Sequence, residues 1–543
     1  MNTWKPRLGA SFRTYQRPLG ITELGFYWDS KFDGTADTVQ HGTVEILSPE
    51  NQTVFSHDNI TRSWIALKQQ FPLLGASFEV VGDQVNFIIS ANRLEACNPE
   101  EISLQKVASQ VEAERVADAL VNGDRVLSDD LLARIVILFR IDQISHVHIL
   151  IHVGHSITDG MANATLLRTF LDIISSSPDG IMWDLEERLA LALPSNDLVP
   201  GIMLNKARFR WHRAIGQTIS AIRMSKINGG HTLPRKFTHL SAYTPARSGL
   251  VAASFSPEKS IHIIQNCRDN GITFGNAYPV LAQIALTRLL CRRFVRGDIG
   301  REEWEYRKRE PMVTGGPLNL RPFLDREWYE KGGSTNVSLA IGFFFQRLPY
   351  MPLGAAVNLA PGDKIPSLQD LLPFPRFLLR CQSIRKQLTD LLRHPMFLHI
   401  TMLRSQASIR RLQEVALNWR DKRQEAPSAI SVTEQSPVST HGGSSLGNMD
   451  KLIPSHYPLA TEGEEERTVP QLLLHKTQTR LHCRPAELYL GASTKRQQLH
   501  IHVFWDMNVY DEDVVKEWLE EVREATVVYL GGETSPAIQK PFL

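Results

Sequence analysis

Two apolar, β-branched runs set side by side constrain this chain more than any other feature: RIVILFRI at 134–141 and HVHILIHV at 146–153. Such residues suit a half-buried pleated surface, and the polar break from Asp142 to Ser145 separates two strands. After the second run comes the turn GHSITDG, and beyond Gly160 the apolar residues Leu166, Leu167, Phe170, Ile173 and Ile174 recur with helical period. The order strand, strand, turn, helix predicts α/β architecture, with His155 and Asp159 in the turn.

The rest of the chain agrees with that class. Asn59 to Ser90 predicts a helix, a stop at Phe71-Pro72, and a hairpin around Gly82-Asp83. Residues 195–248 form a connector with a basic helical stretch, Lys206, Arg208, Arg210 and Arg213, running into NGGHTLPRKF. A second lobe begins beyond it, where Ser256-Pro257-Glu258 carries a helix start signal and NAYPVLAQIALTRLLCRRF predicts a buried helix. A strand is expected at 336–345, a long crossover loop at about 421–470, then the strands ELYLGAS and LHIHVFWD and a closing amphipathic helix. The expected domains are therefore an N-terminal lobe at 1–200, a basic connector at 201–248, and a C-terminal lobe at 249–543.

At 543 residues the chain can bury a large core without a disulfide or cofactor staple. Sixty basic against 58 acidic residues leave a formal charge of +2, too balanced for a nucleic-acid footprint. The five cysteines are scattered without C-x-x-C pairing, which points to a reducing, cytoplasmic setting. No apolar run approaches a membrane span, so the expected partners are small molecules, with neither nucleic acid nor membrane.

The spacing H-x-x-x-D is weak by itself, because 18 histidines produce roughly one match by chance at ordinary aspartate frequency. This chain has two: His155 to Asp159, and His502 to Asp506. The second lies in an alternating stretch with no following helix, and His502 is expected to be an ordinary sheet-surface histidine. His155 differs in its setting. A strand delivers it to a turn, Gly160 follows the aspartate, and a helix starts there. A neutral imidazole in such a place can accept a hydroxyl proton.

Other motifs compete. Gly443 to Gly447 matches the G-x-S-x-G nucleophile elbow, but SVTEQSPVST before it and Pro454 after it supply neither strand nor helix. His146, His148 and His152 share strand parity; the expectation is a polar strand face and no metal site.

HVGHSITDGMANATLLRTFL strongly resembles the H-x-x-x-D-G signature of the chloramphenicol-acetyltransferase-like acyltransferase superfamily, GGPLNLRPFL resembles its N-x-R element, and FPLLGASF resembles its Pro-x-Leu element. The resemblance implies two similar α/β lobes, each a mixed sheet packed with helices, meeting along a tunnel for an acyl donor and an acceptor alcohol. It implies His155 as the catalytic base, with Asp159, Gly160, Asn319 and Arg321 shaping the site and Asp159 paired to Arg321. Ser444 or Ser445 are candidate oxyanion donors. Acetyl-CoA would be a co-substrate, with no cofactor bound and a monomeric enzyme. Condensation domains carry a second histidine where this chain has Gly154, and the D-F-G-W-G element of plant members is absent. The texture of GGSSLGNMDKLIP and RPLGITELGFYWDSKFDGTADTVQH is similar to fungal secondary-metabolite O-acetyltransferases, including those acting on trichothecene-type sesquiterpenoid alcohols.

Overall fold

In a computed structural model, residues 3–48, 53–176, 183–201, 205–227, 230–238, 240–402, 406–421, 439–460 and 469–532 are described. Three sheets organise them. The smallest joins β1 (Lys5–Pro6), β2 (Thr14–Pro18), β4 (Ser77–Val81) and β5 (Gln84–Ser90) in the order β1-β2-β5-β4. The β4–β5 hairpin turns at Gly82-Asp83 as expected, with Gly82 at φ +60°, a conformation that favours glycine.

The N-terminal lobe is built on β3 (Thr38–Ile46), β6 (Ile102–Val107), β7 (Ala133–Arg140) and β8 (His146–Val153). Its sheet is completed by β13 (His456–Tyr457) and β14 (Leu472–Leu481), in the order β13-β14-β3-β8-β7-β6. The C-terminal lobe holds β9 (Ser248–Ser254), β10 (Met312–Asn319), β11 (Ile341–Leu348), β12 (His441–Asn448), β15 (Leu488–Lys495) and β16 (Gln498–Asp506). These form a second mixed sheet, β11-β10-β12-β15-β16-β9, in which β12 runs parallel to both neighbours. The fold is thus two-lobed and mixed α/β. No described helix is long and apolar enough to cross a membrane.

Helix Gly160–Ser175 buries Leu166, Leu167, Phe170, Leu171 and Ile174, each at most 1 % exposed. Each such side chain contributes about 1.5–3 kcal/mol of apolar burial. Gly42 in β3 permits the close approach, since a Cβ there would come within 3.1 Å of both Leu167 methyl carbons. In the other lobe the Val503, Trp505 and Leu490 side of the sheet packs under helices Phe274–Arg296 and Glu512–Leu530, and the Trp518 indole N–H donates to the Ala282 carbonyl at 3.2 Å. At its centre β10 crosses close to β12. A Cβ on Gly316 would sit 1.8 Å from the Gly443 carbonyl oxygen.

Three expectations change. The stretch 421–470 is not loop throughout: residues 441–448 are strand β12 and 456–457 are strand β13, while 422–438 and 461–468 lie outside the described residues. Strand β11 starts at Ile341 rather than residue 336, because the backbone groups of Asn336, Ser338 and Ala340 are engaged by buried side chains instead of a neighbouring strand. The chain order also does not separate the lobes. Strand β14 lies in the C-terminal half of the sequence yet pairs antiparallel with β3 from Leu472↔Ile46 to Leu481↔Thr38.

The sheets also bury histidines. Removal from water lowers His41, His152 and His231 to about 3 and His148 and His441 to about 4, against an ordinary value of 6.5. An unfolded chain takes up these protons as pH falls through 6.5, whereas the native fold resists until near its own lowered values. Stability is therefore complete above 6.5 and declines as pH drops below it. Burial raises the carboxyls of Asp37, Glu487 and Asp506, and these oppose the trend toward the acid end. The expected outcome is a urea-unfolding midpoint that falls steadily from about pH 7 to about pH 5; a flat profile would contradict the buried-histidine account.

Candidate active site

Strand β8 ends at Val153, and the Gly154 N–H closes the edge on the Leu132 carbonyl at 2.9 Å. The turn that follows is tied down at both ends. Thr158 Oγ1 donates to Asn163 Oδ1 at 2.8 Å, and Asn163 Nδ2 donates to Thr38 Oγ1 at 3.1 Å.

Asp159 caps helix Gly160–Ser175. Its Oδ1 accepts the Met161 and Ala162 N–H groups at 3.1 and 3.0 Å, satisfying two donors that a helix start leaves free. Arg321 Nη1 donates to Oδ1 at 3.2 Å and Oδ2 at 2.9 Å, and the Ala340 N–H donates to Oδ2 at 2.9 Å. The pair is buried, with Asp159 1 % and Arg321 2 % exposed. Arg321 is itself held: Nη2 donates to the Ser338 carbonyl at 2.7 Å, and Asn319 Oδ1 accepts from its main-chain N–H at 3.2 Å and from Nη1 at 3.3 Å. The expected Asp159–Arg321 pair and the neighbouring Asn319 are therefore brought together, joining the two lobes. Gly160 is the exposed first residue of the helix, with open space where a Cβ would project.

His155 stands partly exposed on the near side of this turn. Its ring stacks on Phe26 with centroids 4.0 Å apart and planes 6° from parallel. Phe26 comes from helix Ile21–Lys31, and the Arg484 guanidinium lies 5.2 Å from the same phenyl ring while Nη2 donates to Asp29 Oδ2 at 2.7 Å. Burial lowers the His155 pKa to about 4, with Arg484 pushing the same way and its own main-chain carbonyl, Asp159 and Asp29 pulling back. Nδ1 is sealed from solvent without a full hydrogen bond, so the carbonyl acts on it by proximity. At neutral pH the ring is uncharged and carries a lone pair. Asp159, whose two oxygens already accept five hydrogen bonds, acts on it only through space.

The serines divide. Both lie in β12, inside a strand, which removes the geometry of a nucleophile elbow. Ser444 accepts a 2.6 Å hydrogen bond from the Tyr489 hydroxyl, whereas Ser445 faces Gly275 on the helical side of the sheet. Among the described residues neither hydrogen-bonds His155. His502 is not on an open surface either: its strand is paired on both sides, and its ring covers Gly491, where a Cβ would meet Nε2 at 2.1 Å. On the basic connector, Arg208 and Arg210 are exposed along helix Lys206–Ser225.

Phe26, Asp29 and Arg484 were not anticipated as site residues. They lie more than a hundred residues from His155 in sequence; Phe26 and Asp29 fall in the stretch RPLGITELGFYWDSKFDGTADTVQH, which stood out only by its overall texture, and Arg484 belongs to no motif. Their role is directly measurable. Histidine-selective NMR should place the His155 titration near 4, Arg484→Gln should raise it by removing the neighbouring positive charge, and Asp29→Asn should lower it. A titration at the ordinary 6.5 that neither variant moves would refute this electrostatic description.

No protein-family model and no curated protein matches the sequence. Solved structures do match. TRI3 trichothecene 15-O-acetyltransferase from Fusarium sporotrichioides is 14 % identical with a TM-score of 0.68, over 97 % of this chain and 98 % of that one. The condensation domain of the monacolin K polyketide synthase MokA is 11 % identical with a TM-score of 0.57, over 98 % and 99 %. Polyketide synthase associated protein 5 from Mycobacterium tuberculosis is 13 % identical with a TM-score of 0.55, over 94 % and 98 %. At these identities the likeness is one of fold, and the chain has the two-lobed fold shared by TRI3 and the condensation domains.

Proposed function

We propose that the protein is an acyl-CoA-dependent O-acyltransferase that moves an acetyl group onto a hydroxyl of a fungal secondary metabolite, a trichothecene-type sesquiterpenoid alcohol being the favoured acceptor. The observation that carries the reading is His155: neutral at working pH, partly exposed, and locked against Phe26 beside a turn whose aspartate is fully occupied. With Nδ1 sealed, Nε2 is the nitrogen left for reactants. It removes the acceptor proton as the hydroxyl oxygen attacks the thioester carbonyl. The tetrahedral intermediate collapses to the ester, the carbon–sulfur bond breaks, and the imidazolium returns its proton to the coenzyme A thiolate. No acyl-enzyme forms. Ser444, which accepts a hydrogen bond from Tyr489, and Ser445 remain the candidate donors to the oxyanion. A monomeric, cytoplasmic enzyme with no bound cofactor completes the proposal.

The structural likeness to both an acetyltransferase and condensation domains favours acyl transfer over hydrolysis. It also defines the competing donor, an acyl group on a carrier protein, which predicts no thiol release from free acetyl-CoA. The test is a thiol-release assay with acetyl-CoA and a panel of sesquiterpenoid alcohols, with products identified by mass spectrometry. Turnover should fall by about 10²- to 10⁴-fold in His155→Ala. Unchanged turnover in that variant, or a pre-steady-state burst of covalent acetyl-enzyme, would overturn the mechanism.

A further inference from the structure

The irregular pairing of β14 with β3 creates a site remote from His155. Register runs Leu474↔Val44 and then Lys476↔Thr43, so His475 is the extra residue of a β-bulge and has no partner of its own in the ladder. Bulges re-aim side chains, and this one brings His475 beside Glu45 of β3 and His146 of β8, which are themselves register partners. His475 Nε2 lies 2.6 Å from Glu45 Oε2. The His146 and His475 rings are 5.5 Å apart and within 10° of parallel, and one ligand atom from each of the three residues lies within 4.8 Å of the others.

We propose that Glu45, His146 and His475 form a binding site for a divalent transition-metal cation of the zinc class. Two imidazoles and one carboxylate are a donor set that suits zinc, with the fourth position open to water. Bond lengths of about 2.0–2.1 Å put tetrahedral ligand atoms roughly 3.3 Å apart. With one pair of ligand atoms at 2.6 Å and all three within 4.8 Å of one another, small side-chain rotations reach that spacing. A simple ion pair accounts for less of the arrangement, because one carboxylate pairs with one imidazolium and leaves the second ring unexplained. Ser145 Oγ, 3.2 Å from His146 Nδ1, helps fix its orientation, as outer partners of metal ligands do. Glu45 and His475 are each about one-third exposed, so an ion can enter. Nearby positive charges, Arg140 and Arg496, weaken the site, while Glu45 and Asp142 offset them.

The three donors come from β3, β8 and β14, so a bound ion would staple the crossing strand of the C-terminal half onto the N-terminal sheet. Strand β8 separates the site from the His155 turn by roughly 25 Å, which makes the role structural and independent of the proposed chemistry. The test uses the full-length protein, stripped with chelator and titrated with ZnCl₂ by isothermal calorimetry, with MgCl₂ as the control, alongside thermal melts. One equivalent of zinc should bind, with a rise of a few degrees in melting temperature that magnesium does not give. His475→Ala and Glu45→Gln, both at partly exposed positions, should each weaken binding by at least about tenfold and abolish the thermal shift. If the wild-type protein binds no zinc, or both variants bind it as tightly as wild type, the site does not exist.

Discussion

The carboxylate of Asp159 is asked to do three things at once: to start the helix Gly160–Ser175, to neutralise Arg321, and to accept the main-chain N–H of Ala340. The first belongs to the N-terminal lobe and the other two reach residues of the C-terminal half. A buried ion pair is commonly a poor source of net stability, because both charges lose water. Here every oxygen is occupied and Arg321 has further acceptors in Asn319 and Ser338, so the geometry is over-determined. Its value is positional. Removing either partner alone would strand a charge in a site at most 2 % exposed.

His155 depends on that anchor without touching it. Four residues before the cap, it lies on the segment stretched between the β8 edge and the helix start, and Phe26 supplies the flat surface that sets its ring plane. Arg484, over the same phenyl ring, and its partner Asp29 then adjust its charge through space. Phe26 and Arg484 reach it from chain segments more than four hundred residues apart. The setting of His155 is therefore assembled from both halves of the chain, and β14 crosses into the N-terminal sheet just before Arg484.

What was legible in the sequence was local or carried by a spaced motif. The runs at 134–141 and 146–153 became β7 and β8, the Phe71-Pro72 stop and the Gly82-Asp83 turn fell where their backbone chemistry requires, and Arg321 found Asp159 across 162 residues because both carry recognisable motifs. What was hidden was pairing that no local pattern encodes. Residues 336–340 are as apolar as a strand but give their polar groups to Arg321 and Asp159. Ser444 and Ser445 look equivalent in sequence, and alternation along β12 sends them to opposite faces. The bulge at His475 likewise depends on register between strands some 430 residues apart.

A double-mutant cycle across Asp159→Ala, Arg321→Ala and the double variant, read by unfolding free energy, tests the central claim that this one pair locks the lobes around the His155 turn. Each single variant should lose about 3–5 kcal/mol, and the double variant should lose clearly less than the sum, with a coupling of about 2–3 kcal/mol. Strictly additive losses would show that the two residues act independently and that the site is held by something else.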